Sequence, residues 1–343
     1  MTAHFATGIG AGDAPVPRLK GGAVGFQAET LAMRVQAIRY EAETIRSVEL
    51  HPVTGDRVPA FEAGAHVDLA LPGDLIRSYS LINGPEQRNA YVVAVNRDAE
   101  STGGSQYICE RLRVGDILEV TTARNTFALA DTGAPVVLFA GGIGITPILS
   151  MIRHLEARQA DWSLVYAVRA RANAAFLDVL AELDAGRGRV HLHVDDEAGA
   201  LLDLAAQFAR VPADAHVYCC GPVPMIDAFE VLGRGRAAEL VHVERFVGAD
   251  VAGAETGFTV VLKRSGREVV VPAGKTIMEV LKEEGIRVAY SCQSGVCGTC
   301  ETRVIEGVPD HRDNVLSARE RERGNVMMIC CSLAQSDRLV LDL

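Results

Sequence analysis

The chain has 343 residues, 48% of them hydrophobic and 23% charged, with a formal net charge of −10. That length exceeds one ordinary core, so two or three domains are expected. The acidic balance disfavours nucleic acid and anionic membrane surface as partners. The longest apolar run, Val136 to Leu149, is broken by three glycines and a proline, which argues against a transmembrane helix. The first residues lack a positive segment followed by an apolar one, so no secretory signal is expected. Eight cysteines without an export signal suggest a reducing compartment and metal ligation, hence a cytoplasmic protein.

Residues 1–25, rich in Gly, Ala and Pro, read as a loose tail. Residues 26–131 then carry short strand patterns separated by turn signals, at Arg34–Arg39, Ile45–Leu50, His66–Leu71 and Tyr91–Val95. Such spacing suggests an antiparallel β-barrel. Within it lies Arg77-Ser78-Tyr79-Ser80-Leu81. In a strand Arg77 and Tyr79 share one face, whereas Ser80 points away unless the strand bends or ends there. Arg suits a phosphate, Tyr packs against a flavin or ribityl edge, and a Ser hydroxyl reaches a ring nitrogen. Alone, this run fits any barrel. Farther on, Val95-Asn96-Arg97 precedes the Gly-rich turn Ser101 to Ser105, which leads into a helix over Ser105–Leu112. A helix N-terminus after such a turn is an anion site; a plain N-cap is the equal alternative.

Residues 132–248 alternate strand and helix. A buried strand over Val136–Ala140 runs into Gly141-Gly142-Ile143-Gly144-Ile145-Thr146-Pro147, which opens a helix over Ile148–Arg158. Strand, Gly-rich turn and helix together hold a pyrophosphate on backbone amides. The run is not G-x-G-x-x-G, because Pro147 stands where the third Gly would be. Strands over Ser163–Val168, Val190–Val194 and Ala215–Cys219 alternate with helices over Ala174–Ala185 and Leu201–Phe208, and Cys220-Gly221-Pro222 follows the last of these strands. This pattern implies an α/β doubly wound sheet with ligand at the carboxyl ends of its strands. His191, His193 and His216 read as ordinary strand residues. Val241–Gly248 reads as the last strand, and a linker follows over 249–257.

Residues 258–343 open with a hairpin, Phe258–Lys263 and Arg267–Val271, followed by a short helix with an Ile277, Val280, Leu281 stripe. With a metal loop next, this is the order of an α+β β-grasp unit. Gly274-Lys275-Thr276 mimics the end of a phosphate-binding P-loop, but Val269 stands where its first Gly is needed. The loop itself is Cys292-x4-Cys297-x2-Cys300, and Cys330 and Cys331 lie about thirty residues on. This is the ligand pattern of a plant-type [2Fe–2S] ferredoxin. A disulfide framework is disfavoured by three thiols packed into nine residues of a long chain. Zinc usually wants two Cys-x2-Cys knuckles and finds one here. Side chains alternate in an extended segment, so only one of Cys330 and Cys331 faces the cluster.

Arg77-x-Tyr79-Ser80, then Gly141 to Pro147 with Cys220-Gly221-Pro222, then the ferredoxin loop, stand in one order. Together they resemble the phthalate dioxygenase reductase family, which includes vanillate demethylase reductases. Glu306 to Asp313 also looks like that family's segment between the third and fourth ligands. The resemblance implies a flavin barrel, an NAD-binding domain and a C-terminal ferredoxin domain. It implies Cys292, Cys297, Cys300 and Cys330 as metal ligands, because the family's fourth cysteine is followed by one residue and then Ser, as in Cys330-Cys331-Ser332. It places Arg77, Tyr79 and Ser80 on the flavin with Val95 nearby, and Arg97, Gly104 and Ser105 on its phosphate. Gly142, Gly144 and Thr146 would lie under the pyridine nucleotide, with Cys220 and Gly221 close to the nicotinamide and Phe246 near the flavin ring. Ser80, Cys220 and Phe246 are thus the residues assigned to the reacting rings. FMN is expected, with FAD the alternative. NADH is expected, although Arg169 and Arg171 follow the second strand of the nucleotide domain, where a 2′-phosphate can be gripped.

The resemblance also implies a function. NADH gives up two electrons as a hydride, a [2Fe–2S] cluster takes one, and a flavin mediates between them. Plant-type clusters sit near ~−400 mV. The expected role is the reductase component of a Rieske-type oxygenase system. The alternatives are a reductase for a separate ferredoxin or heme protein, and a non-catalytic iron–sulfur sensor.

Overall fold

The computed structural model describes residues 29–73, 75–98, 103–246, 256–290 and 292–343. The tail expected over 1–25, Ser101 of the Gly-rich turn and most of the expected linker lie outside the described residues.

The first sheet contains β1 (Thr30–Ala42), β2 (Ile45–Pro52), β3 (His66–Leu71), β4 (Leu75–Ser80), β5 (Tyr91–Asn96) and β6 (Ile117–Thr121), with helix α1 (Gly104–Glu110) between β5 and β6. Its six strands run antiparallel in the order β4-β3-β6-β1-β2-β5. The edge strands come together through a single bridge, Leu81 with Val93. The sheet is therefore antiparallel as expected, with one pair rather than a continuous ladder joining its edges. The alternation of β3 does not put its polar residues in water. His66 and Asp68 are buried, and each has a physical reason to be there. Asp68 accepts from Ser78 Oγ at 2.6 Å and pairs with the Arg124 guanidinium, while its backbone N–H donates to Thr121 Oγ1 at 3.0 Å. His66 exchanges backbone hydrogen bonds with Arg124 at 2.8 and 2.9 Å.

The second sheet is parallel, ordered β11-β10-β7-β8-β9. Its elements are β7 (Val136–Gly141), α2 (Ile145–Ala157), β8 (Trp162–Val168), α3 (Leu177–Asp184), β9 (Val190–Val194), α4 (Asp195–Ala198), α5 (Leu204–Phe208), β10 (His216–Cys220), α6 (Val223–Gly233) and β11 (Val241–Glu244). All six residues of β7 are buried, as a central parallel strand requires. The helix after β7 begins three residues before the sequence expectation, because Gly144 caps it and Pro147 sits in its first turn, where no N–H is missed. Strand order reverses at β7, so a crevice opens between the carboxyl ends of β7 and β10.

The third unit holds β12 (Phe258–Leu262), β13 (Arg267–Val271), α7 (Ile277–Glu283), β14 (Glu301–Glu306), β15 (Pro309–Asp310), α8 (Ala318–Arg323), β16 (Val326–Met328), β17 (Leu333–Ala334) and β18 (Arg338–Leu341). Its main sheet is mixed, ordered β13-β12-β18-β14-β16, with β12 and β18 parallel. The P-loop look-alike is a helix start. Thr276 and Glu279 form a capping box at the head of α7, and Lys275 pairs with Glu283 at 2.6 Å.

The packing separates these units unequally. Val260, Ile277, Leu281, Met327 and Leu339 anchor a core confined to the third unit. A second core instead merges Ala42, Ile45, Ile82, Val92 and Phe127 of the first sheet with Leu138, Ile148, Ile152 and Tyr166 of the parallel one. Polar ties reinforce that seam: Ser150 Oγ donates to Asn83 O at 2.8 Å, and Ala130 N–H to Tyr218 Oη at 2.8 Å. Among the described residues no helix is long and apolar enough to cross a membrane. Asp68→Ala is expected to cost about 3 kcal/mol, because it leaves the Arg124 guanidinium and Ser78 hydroxyl without their shared acceptor. Chemical denaturation followed at the first sheet's tyrosines would measure that loss.

Candidate functional site

One cavity of about 390 Å³ is lined by all three units. The first sheet supplies His66, Arg77, Ser78, Tyr79, Ser80, Ala94 and Asn96, with Asp98 and Ser105 beyond it. The parallel sheet's unit supplies Ile143, Thr146, Glu244, Arg245 and Phe246. The third unit supplies Val296 and Cys297. Strand β4 ends at Ser80, which is how Arg77, Tyr79 and Ser80 all reach one space despite the alternation of a strand. Burial pushes the Tyr79 phenol up, so it stays protonated. At the head of α1, a Cβ on Gly104 would stand 2.6 Å from Arg77 Cγ. Gly104 therefore lets the Arg77 chain lie across the helix start, beside Ser105.

Two buried polar atoms of the cavity residues have no hydrogen-bond partner among the described residues: His66 Nε2 and Glu244 Oε2. Burial lowers the His66 imidazole to about 4 and raises the Glu244 carboxyl to about 8. Both side chains are thus neutral near pH 7. Both atoms are shut off from solvent, so the polar groups that face a guest are others of the lining, among them Arg77, Ser80, Asn96 and Ser105. A flat heterocycle with nitrogens and carbonyls at its edge, carrying a phosphate toward Arg77 and Ser105, fits this donor set.

The Gly-rich turn and the Cys220 turn, 76 positions apart by number, are in contact. A Cβ on Gly144 would fall 2.1 Å from Cys220 O, and one on Gly141 would fall 2.5 Å from Pro222 Cδ. Both glycines are needed for backbone approach, not for a positive φ. Cys220 lies opposite Glu244 in the β10–β11 register. Burial, then Glu244, holds the Cys220 thiol well above its ordinary range, so it is protonated. Thr146 is buried and donates to Ile143 O at 3.0 Å, which closes the first turn of α2 on itself.

The cysteine loop bends at Gly295 and Gly298, both with φ +74°. That left-handed backbone turns amides inward: Ser294 N–H and Val296 N–H both donate to Cys292 Sγ at 3.4 Å. Cys297 lies within hydrogen-bonding reach of Cys292. Cys330 lies within reach of both Cys292 and Cys300. Cys331 instead sends its thiol to Met328 O at 3.7 Å and is fully buried, with Gly295 packed against its sulfur. The 310–313 segment anchors this neighbourhood. Ser332 Oγ accepts from Arg312 N–H at 3.1 Å and donates to buried Asp313 at 3.3 Å. Among the described residues no three His, Cys, Asp or Glu side chains converge on a single mononuclear position; four thiols shared between two irons are a different arrangement.

Not every expected residue meets the cavity. Val95 packs into the first sheet's own core, while its neighbours Ala94 and Asn96 face the cavity. Arg97 is exposed and its guanidinium pairs with Glu110 at 2.7 Å, away from the lining. Arg171 is likewise held, in a two-pronged pair with Glu197. His193 bonds Ala200 O, and His216 stacks on His242. His66, Asn96, Glu244 and Arg245 were not singled out from sequence. A buried-polar position in a strand carries no local signal, although His66 faces Ser80 in the β3–β4 register.

Two outcomes follow from this geometry. Gly144→Ala must push the Cys220 carbonyl away, so it is expected to destabilise the protein by about 2 kcal/mol, measured by chemical denaturation. For Glu244, a folded value near 8 against an ordinary 4.5 means the folded state keeps a proton that the unfolded chain has lost. Stability therefore falls as pH rises between about 4.5 and 8. Glu244→Gln is expected to flatten that fall, read as the thermal midpoint of each protein across the same window; parallel profiles would contradict it.

Comparison with known proteins agrees with this geometry. Residues 138–230 match the oxidoreductase NAD-binding domain, and residues 260–335 match the 2Fe-2S iron-sulfur cluster binding domain. The phenoxybenzoate dioxygenase subunit beta of Ectopseudomonas oleovorans is 48% identical over 91% of this chain and 97% of its own. The tetrachlorobenzoquinone reductase of Sphingobium chlorophenolicum is 48% identical over 92% and 98%. Among solved structures, phthalate dioxygenase reductase is 39% identical with a TM-score of 0.70, covering 92% of this chain and 98% of that one. A type IV self-sufficient cytochrome P450 monooxygenase superposes at a TM-score of 0.82 and 38% identity, over 92% of this chain but only 41% of that one. With its NAD-binding and [2Fe–2S] domains, the chain is an NADH-dependent iron–sulfur flavoprotein oxidoreductase, and it belongs to the phthalate dioxygenase reductase family.

Proposed function

We propose that this chain is the reductase component of a Rieske-type oxygenase, receiving electrons from NADH and delivering them one at a time to that partner. The observation that carries the reading is the single cavity to which Ser80, Thr146, Phe246 and Cys297 all contribute. We divide the chain into a flavin unit over 26–131, a nucleotide unit over 132–248, a linker over 249–257 and a ferredoxin unit over 258–343. The first is read as a barrel whose edges meet at Leu81 and Val93, and the last as a β-grasp unit.

The flavin supplies acceptance of a hydride and release of single electrons. Arg77 and Ser105 hold its phosphate, with Gly104 giving the Arg77 chain room. Tyr79 packs against the ring system, and Ser80 donates to the ring edge. Gly142, Gly144 and Thr146 seat the nicotinamide nucleotide, whose ring is then guided toward the cavity by Cys220 and Gly221. Cys220 acts as a neutral thiol that packs and donates, because its burial disfavours thiolate. Phe246, at the end of the nucleotide unit, would lie near the flavin ring and help exclude water from it. Val95 lies near the flavin from within the first unit's core, and Arg97 joins Arg77 on the phosphate once it leaves Glu110. Cys292, Cys297, Cys300 and Cys330 hold the [2Fe–2S] cluster, with Cys297 on the flavin side. A relay using reduced thiols and NADH fits the cytoplasm.

The structural likeness to a self-sufficient cytochrome P450 supports a second reading, in which the acceptor is a heme protein. Turnover with a purified Rieske oxygenase against a purified P450 separates the two. The relay itself is tested by anaerobic NADH titration followed by visible and EPR spectra. Flavin bleaching with a rhombic [2Fe–2S] signal is expected; a bleached flavin beside an oxidised cluster would sink it. Cys330→Ser is expected to abolish cluster assembly, whereas Cys331→Ser keeps it, as read by iron content and the visible spectrum.

A further inference from the structure

The carboxyl ends of β8 and β9 hold a group that the relay does not use. Arg171 follows β8, and its guanidinium meets Glu197 of α4 through Nε to Oε1 and Nη2 to Oε2, both at 2.6 Å. This is a fork-to-fork pair. Beside it, Asp196 N–H donates to Arg169 O at 3.0 Å and ties the two strand ends together. In a doubly wound sheet this edge, next to the strand that carries the phosphate turn, receives the adenosine ribose. The sugar's 2′ position separates the two nicotinamide cofactors: a hydroxyl in one, a phosphate in the other. An arginine here is the ordinary means of holding a 2′-phosphate. In this chain that arginine is already occupied by a carboxylate, and Asp195 and Asp196 precede Glu197 on the same short turn of helix.

We infer that Glu197 sets the preference for NADH over NADPH by occupying Arg171. A 2′-phosphate must displace the Glu197 carboxylate from the guanidinium and then lie beside it, so it meets a negative charge where a cation would otherwise welcome it. A 2′-hydroxyl asks for neither change. Both side chains are about half exposed, at 57% and 51%, so the pair opens without disturbing the core. Glu197 thus acts through Arg171 as a specificity-determining residue, and the selectivity lies in one pair rather than in the whole pocket. The inference rests on the nucleotide reading above.

The test compares wild type, Glu197→Gln, Arg171→Ala and the double variant as intact holoprotein. Two readouts are used: kcat/KM for NADH and NADPH in flavin reduction, and the Kd of 2′,5′-ADP against 5′-AMP by calorimetry. The second pair of probes carries no redox group, so it reports the subsite alone. Glu197→Gln is expected to raise NADPH efficiency and tighten 2′,5′-ADP by about tenfold, the worth of one freed charge-assisted contact. NADH efficiency and 5′-AMP affinity stay within about twofold. The double variant is expected to lose the gain, because the guanidinium is gone. An unchanged 2′,5′-ADP affinity in Glu197→Gln overturns the inference, and so does a gain that persists in the double variant. If wild type reduces its flavin with neither nucleotide, the underlying reading has failed instead, and the inference falls with it.

Discussion

The structure depends on one apolar seam. The first sheet's unit and the parallel sheet's unit are not two bodies that happen to touch: Ile45, Ile82 and Val92 share a continuous core with Leu138, Ile148 and Tyr166. Hydride transfer requires two rings held in register, and close-packed side chains hold distances far better than a polar contact does. The cysteine loop belongs to a unit with its own core. Single-electron transfer tolerates more play than hydride transfer, so a separately packed unit suits it. The division of cores thus follows the division of chemistry.

The cavity is built from positions that break the simple rule of polar outside and apolar inside. Asp68 is buried but satisfied three ways, and it stiffens the strand pair that carries Arg77 to Ser80. His66 is buried, Glu244 partly so, and each leaves one buried polar atom unpaired. Stability alone does not favour such atoms. They belong to two different units, His66 on β3 and Glu244 on β11, and burial keeps both side chains neutral.

Much of this was legible in the sequence, and the reasons are local. Cys292 to Cys300 fix their own geometry within nine residues. The turn after β7 reads as a phosphate-holding turn because a Gly-rich run between a buried strand and a helix exposes backbone amides. Its close packing on Cys220 is set by the register of β7 with β10 and is not local. What escaped was set by registers between distant strands. Ala94 and Asn96 face the cavity rather than Val95 because of how β5 pairs with β2 and bridges Leu81. The resemblance assigns Arg97 to a phosphate, but its pairing with Glu110 across the β5–α1 connection carries no signal in the sequence. Strand β6 passed unnoticed, since Ile-Leu-Glu-Val-Thr is too short to declare a period.

A Cβ placed on Gly298 of the cysteine loop would meet the Val315 side chain at 3.6 Å and the Thr126 methyl at 3.9 Å, both ordinary contact distances. Thr126 lies in the connection between β6 and β7, which joins the first sheet to the parallel one. The cysteine loop therefore stands about one carbon's width from the chain that links the other two units. Crowding does not reserve this position for glycine; the left-handed φ of +74° does.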